Sequence, residues 1–112
     1  MAYHLNKINE ISDGDQSFVE AVVMAFVEEI PEDLVTLEKA VDLMNHRMVY
    51  EVTHKIKPNL DLLGMDEVYK ININVLENAR AAQNDADIQK QFIVLKSKLE
   101  ENISQLKTDF NL

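Results

Sequence analysis

The chain of 112 residues contains no cysteine and no tryptophan, and it has only two glycines and two prolines. Without cysteine the chain cannot form a disulfide, and it has no thiolate to serve as a nucleophile. With so few glycines and prolines, and with no long polar tract, the sequence offers no stretch typical of a linker. The length fits one domain, so residues 1–112 are predicted to form a single folded unit.

Positive charge is scarce as well, because 11 lysines and arginines stand against 20 aspartates and glutamates, for a net charge of −9. This excess of acidic residues argues against a nucleic-acid partner and against an anionic membrane surface. No stretch approaches the ~18 consecutive apolar residues of a membrane span. The first residues lack the layout of a secretory signal. We therefore expect a cytoplasmic protein with no nucleic-acid and no membrane partner.

Apolar residues recur at helical spacing along almost the whole chain, which predicts an all-α fold. Helices are predicted over residues 3–10, 16–43, 45–63, 67–83 and 86–109. Four long amphipathic helices joined by short turns predict an up-down-up-down antiparallel four-helix bundle, and the short first helix would cap one end. Pro31 lies inside the second helix and is expected to kink it.

The same spacing predicts several details of packing and capping. Asp13 or Asp15 is expected to cap the second helix and Asp66 the fourth, while Gly64 ends the third. Asn72 shares the apolar face of the fourth helix, so its amide should be buried and bonded to a neighbouring helix. The small-residue strip on the second helix is expected to seat the first helix: Phe18, Ala21 and Ala25. The buried stripe of the third helix is predicted to be Met48, Val52, Ile56, Leu60 and Leu63.

His54 projects to the side opposite that buried stripe, so the pattern does not place it in the core. Lys57 follows three residues later and is therefore its neighbour on the helix surface. A phosphoryl group carries about −1.5 to −2 charge at neutral pH, and a lysine beside a histidine ring can hold such a group when it is attached to the ring. The spacing therefore indicates a phosphoryl carrier.

The pattern His54-x-x-Lys57, with Gly64 ten positions after the histidine, resembles the histidine-containing phosphotransfer (HPt) domains of bacterial and related phosphorelays. The resemblance extends over the whole chain, since further family features stand in the expected order: Gly14-Asp15, Glu28-Glu29-Ile30-Pro31 and Leu63-Gly64. It implies that His54 is the phosphoacceptor. A receiver-domain aspartate would supply the phosphoryl group, another receiver would take it, and Lys57 would be the assisting cation.

The resemblance also implies the partners and the cofactor requirement. The partners would be receiver domains of response regulators or hybrid kinases, and the carrier would work as a monomer. The chain has no nucleotide-binding glycine-rich loop, so it is expected to be a phosphocarrier without autonomous ATP-dependent kinase activity. It would need no cofactor of its own, because the Mg²⁺ for the transfer would belong to the receiver.

Two residues near His54 differ from the family pattern. Pro58 stands where the family usually has glycine; it lacks an N–H and its ring crowds the carbonyl of His54, so we predict a local bend and a narrower approach to the histidine. Asp61 lies on the side of His54 two turns later, where its carboxylate would repel a phosphoryl group if it came close. Met24, Tyr50 and Asp61 are candidates for a receiver-docking surface, although an isolated exposed methionine is also ordinary.

Three other functions compete with this interpretation. A helical interaction module with an inert histidine is the main rival. An enzyme that uses His54 as a general base would need a pocket and a group that orients the ring, and the pattern indicates neither. A metal site is disfavoured because His46 and His54, eight residues apart on one helix, would be separated by ~12 Å.

Overall fold

Five helices build the protein, and a computed structural model describes residues 3–112 of the chain. They are α1 (Asn6–Ser12), α2 (Gln16–Asp42), α3 (His46–Leu62), α4 (Asp66–Arg80) and α5 (Asp85–Asp109). Helices make up 83% of the described residues and no strand occurs among them, so the predicted all-α class is confirmed. In this part of the chain no helix combines the length and the apolar character needed to cross a bilayer.

The long helices contact one another in a ring of pairs. Helix α2 touches α3 and α5, and helix α4 touches the same two neighbours. The molecule measures 42 × 23 × 21 Å, and its long dimension agrees with the ~40 Å expected for a helix of the length of α2. All five helices contribute to one apolar core. Fully buried examples, one from each helix in chain order, are Ile8, Leu37, Ile56, Val75 and Leu99.

The buried face of α3 differs from the prediction at its first turn. Met48 is 37% exposed, whereas Val49 is fully buried. A stripe that advances four residues at a time drifts around the helix by ~40° at each step, so a side chain at Met48 lies about 120° from Leu60. The observed face instead alternates steps of three and four residues, which keeps it aligned with the core. Thr53 is buried on this face and was not predicted there.

The N-terminal segment also departs from the prediction. Helix α1 begins at Asn6 and not at residue 3. Tyr3 and His4, which lie ahead of it, contact other helices of the fold. Tyr3 is buried and its hydroxyl donates a hydrogen bond to Asp109. His4 packs against the turn at Gly64. The prediction that α1 packs on the small-residue strip of α2 is wrong, because all three residues of that strip are exposed: Phe18, Ala21 and Ala25.

The helix ends show which capping predictions hold. Asp15 caps α2, since its carboxylate accepts a hydrogen bond from the backbone N–H of Phe18 at 3.3 Å. Asp66 does not cap α4, and that prediction is wrong. Met65 occupies the cap position, and the Asp66 carboxylate lies 3.2 Å from the ring of His4.

Pro31 does not end the helix in which it lies. Helix α2 continues through it to Asp42, and the kink expected there stays a prediction.

Candidate functional site

His54 is exposed on α3, and its ring stacks on Tyr50 one turn earlier. The two ring centroids are 5.5 Å apart and the planes meet at 29°. Side chains on a helix lean toward its N-terminus, which explains why residues four apart meet in this way. Tyr50 is half-buried and packs against the core, so it gives the imidazole a fixed support. The stack covers one face of the ring, while the ring nitrogens direct their lone pair and hydrogen outward in the ring plane.

Behind His54, a buried hydrogen bond joins α3 to α4. The Asn72 side-chain amide donates to the carbonyl oxygen of Thr53 at 2.9 Å, and both residues are fully buried. The Thr53 hydroxyl donates in turn to the carbonyl oxygens of Val49 and Tyr50, at 2.8 and 3.1 Å. The prediction that Asn72 is buried and bonded to a neighbouring helix is confirmed. The bond fixes the backbone next to the histidine and does not involve its ring.

Lys57 is half-buried on α3, three residues after His54, and forms no ion pair with any residue in the range 3–112. A long helical side chain leans over the turn that precedes it, so the Lys57 ammonium is expected on the side of His54. The neighbouring Lys55 differs, since its ammonium is 2.7 Å from the Asp33 carboxylate on α2. The hydrogen bond to Asp33 raises the pKa of Lys55. Of the two lysines that follow His54 on α3, Lys55 is thus held in an ion pair, whereas Lys57 has no such partner among residues 3–112.

Asp61 lies two turns after His54, a separation of ~10.5 Å along the helix axis. Its carboxylate forms an ion pair with Lys7 of α1. The hydrogen bond to Asp61 raises the pKa of Lys7, against a smaller lowering by desolvation. The negative charge expected to repel a phosphoryl group is thus balanced by a lysine from another helix.

No protein-family model, curated protein or solved structure matches this chain. The resemblance to HPt domains therefore stays a prediction from the sequence motifs.

Pro58 lies within α3 and Gly64 lies just after its end, and both affect the course of the backbone. The helix continues through the exposed Pro58, as predicted, and ends at Leu62, one residue before the predicted end at residue 63, while the local bend stays a prediction. Gly64 follows the C-cap with φ of +62°, which confirms its predicted place at the helix end. A Cβ atom at this position would overlap the carbonyl oxygen and the ring of His4, so the close approach of the N-terminal segment requires glycine.

Met24 and the other two histidines are the remaining candidates. Met24 is 47% exposed on α2, and its part in docking stays a prediction. His46 contacts Asp85 at 2.7 Å and His4 contacts Asp66, so the three histidines belong to separate local sites. Within residues 3–112, no three side chains of the metal-binding types converge on one point.

Sequence reasoning missed two residues of this site. Thr53 sits beside the phosphoacceptor candidate, but threonine on a helix gives no signal that separates a buried position from an exposed one. Lys7 is 54 residues from Asp61 in sequence, so no local pattern could join them. The stack could have been found, because an aromatic residue four positions before a histidine is its neighbour on a helix.

Proposed function

We propose that this chain is a phosphorelay intermediate that accepts a phosphoryl group on His54 from a receiver-domain aspartate and passes it to a second receiver. The observation that carries the proposal is an exposed imidazole stacked on Tyr50, with a lysine three residues later that has no ion-pair partner in the described part of the chain. A carrier needs an accessible acceptor, since two different partners must reach the same atom. It also needs a cation that stays beside the phosphoryl group in the interval between the two transfers.

The transfer needs only the side chains of the two proteins. A neutral ring nitrogen of His54 attacks phosphorus, an N–P bond forms, and the O–P bond of the aspartyl phosphate breaks. The receiver carboxylate leaves with the electron pair, and the proton on the other ring nitrogen is released to water. In the second transfer a new carboxylate attacks phosphorus, the N–P bond breaks and the imidazole is regenerated with a proton from water.

Lys57 would offset the charge of the phosphorylated ring, because its ammonium carries three donors and, three residues after His54, is expected on the same side of α3. The Mg²⁺ that such a transfer requires would be bound by the receiver, and the chain itself would use no cofactor. ATP would not be the donor. The proposed partners are therefore receiver domains of response regulators or hybrid kinases.

The proposal includes the finer architecture. Only three or four residues separate successive long helices, and each long helix contacts two others. Short connections of this kind favour an antiparallel up-down-up-down bundle with α1 at one end. We expect it to act as a monomer in the cytoplasm.

Transfer of labelled phosphate from a purified receiver tests the function directly. A panel of receiver domains, each charged with acetyl phosphate, should include members that label this chain with an acid-labile, alkali-stable adduct. His54→Gln should abolish the label, and His46→Gln should keep it. Equal labelling of the His54→Gln variant would show that the assignment is wrong.

An interaction module with an inert histidine is the second candidate, and one observation favours it. A groove of about 470 Å³ lies between α2 and α5. Its lining combines four apolar residues, Pro31, Leu34, Val35 and Ile103, with charged and polar ones such as Glu38, Lys96 and Glu100. His54 does not line this groove. Binding of a receiver without any labelling of His54 would select this alternative.

A further inference from the structure

We propose that Lys7 of α1 is a positioning residue that holds the Asp61 carboxylate, so that the Lys57 ammonium stays free for the phosphoryl group on His54. This inference depends on the proposed function of His54. It assigns to the short first helix a role in the charge balance of the site, in addition to its packing against the core.

The competing contact lies within α3 itself. Asp61 follows Lys57 by four residues, and side chains with this spacing are neighbours on a helix surface. Because helical side chains lean toward the N-terminus, the Asp61 carboxylate left alone would lean toward Lys57. A lysine that precedes its acidic partner forms the weaker of the two possible orientations of such a pair. A third residue can therefore pair with the Asp61 carboxylate in place of Lys57.

Lys7 is that third residue in the structure. Its ammonium pairs with Asp61, and the hydrogen bond to Asp61 is the main reason why the pKa of Lys7 is raised. Both side chains are about half-exposed, at 49% and 50%. The backbone that carries Lys7 is anchored by the burial of Ile8 and by the hydrogen bond from Tyr3 to Asp109, so the base of the Lys7 side chain stays close to Asp61.

Loss of Lys7 should act on the site in two ways. The released Asp61 carboxylate would pair with Lys57 and occupy the cation that the phosphoryl group needs. It would also leave an unbalanced negative charge on the surface that faces the incoming phosphoryl group. Both effects depend on Asp61, so removal of its charge should cancel the effect of losing Lys7.

Phosphoramidate, which phosphorylates imidazole without a protein partner, is the probe for the first arm of the test. We expect Lys7→Ala to slow labelling of His54 by about two- to five-fold, the range set by an exposed ion pair. Asp61→Asn should label at least as fast as the wild type, and the double variant should label as fast as Asp61→Asn. The matched control is Lys98→Ala, which removes a cross-helix pair with Glu67 of 2.7 Å and should keep the wild-type rate.

The second arm measures the Lys57 ammonium protons by NMR in the unphosphorylated protein. Pairing with Asp61 should slow their exchange with water in Lys7→Ala, and Asp61→Asn should restore the wild-type exchange rate. Unchanged exchange in Lys7→Ala, or a double variant as slow in labelling as Lys7→Ala, would overturn the inference. If the wild type itself is not labelled, the proposed function fails, and the exchange of the Lys57 protons alone then decides whether Lys7 holds Asp61 away.

Discussion

The side-chain amide of Asn72 donates a 2.9 Å hydrogen bond to the carbonyl oxygen of Thr53, the residue immediately before His54. Helix α4 thereby binds the backbone of α3 at the proposed phosphoacceptor. The contact lies on the buried side of α3, so the imidazole on the opposite side remains open to a partner. A rigid backbone beneath an accessible ring suits a group that two different proteins must reach in the same geometry.

Asn72→Ala should lower the free energy of unfolding by about 1–3 kcal/mol, because it removes a buried hydrogen bond and leaves a small cavity. Urea denaturation followed by circular dichroism measures the loss. Asn74→Ala, at an exposed position of the same helix, is the matched control and should change stability by less than about 0.5 kcal/mol. Equal losses in the two variants would contradict a stabilising role for the Asn72 bond.

Lys57→Ala should slow phosphoryl transfer, or shorten the lifetime of the adduct, by about ten-fold or more, since a hydrogen bond to a charged group contributes roughly 1.5–3 kcal/mol. Single-turnover labelling from a charged receiver gives both quantities. The adjacent Lys55, which is held by Asp33, provides the control, and Lys55→Ala should transfer at the wild-type rate. A wild-type rate in Lys57→Ala would remove Lys57 from the site.

Tyr50→Leu should release the His54 ring, whereas Tyr50→Phe should keep the stack. The ring protons of His54 lie over an aromatic face, so their NMR signals should move downfield in the leucine variant and stay in place in the phenylalanine variant. An aromatic pair contributes about 0.5–1.5 kcal/mol, so transfer in Tyr50→Leu should slow by about two- to ten-fold. Unchanged ring signals in Tyr50→Leu would show that the stack is absent in solution.

Pro58→Gly should raise the rate of transfer, or widen the range of receivers that react, because it clears space beside His54. Pro58→Ala separates the two possible causes: it restores the backbone N–H for the His54 carbonyl but retains a Cβ atom. A gain in the glycine variant alone identifies crowding, and an equal gain in both identifies the backbone hydrogen bond. No change across a panel of receivers, together with a straight helix, would refute the predicted restriction.

Tyr3→Phe should make stability less sensitive to alkaline pH. Burial, with help from the bond to Asp109, raises the pKa of Tyr3 above its ordinary value of 10.0. A group whose pKa is higher in the folded state stabilises the fold fully below its unfolded pKa, and this contribution is lost as the pH rises through the folded value. The wild type should therefore lose stability above about pH 10 more steeply than Tyr3→Phe, as pH-dependent urea denaturation would show. Parallel curves would contradict the shift.

The sequence predicted the long helices well, because their apolar periodicity is strong and their ends carry clear signals such as the Asp15 cap and the turn at Gly64. It was less accurate where distant contacts decide the local structure. The spacing of apolar residues predicted helix at residues 3–5. In the structure Tyr3 contacts α5, and His4 contacts the turn that follows α3. Asp66 reads as a cap, but its carboxylate lies beside His4.

The same division applies to the candidate site. The places of His54 and Lys57 followed from one helix and its period, since neighbours at three and four residues are fixed by geometry alone. The partners of Asp61 and Asn72 come from other helices. Asn72 could be predicted as bonded because a buried amide needs a partner, although the identity of that partner, the Thr53 carbonyl, could not.

The contact between Tyr3 and Asp109 brings residues 106 positions apart in sequence into direct contact. A short peptide could therefore join the two ends of the described chain without moving a helix. The joined chain could then be cut in the exposed turn between α4 and α5, at residues 81–84, to create a new N-terminus and a new C-terminus. In such a circular permutant α5 would come first in the chain, and the helices would pack around the same core. By the same geometry, the whole unit could be inserted into a surface loop of another protein, because both of its connections would leave from one place.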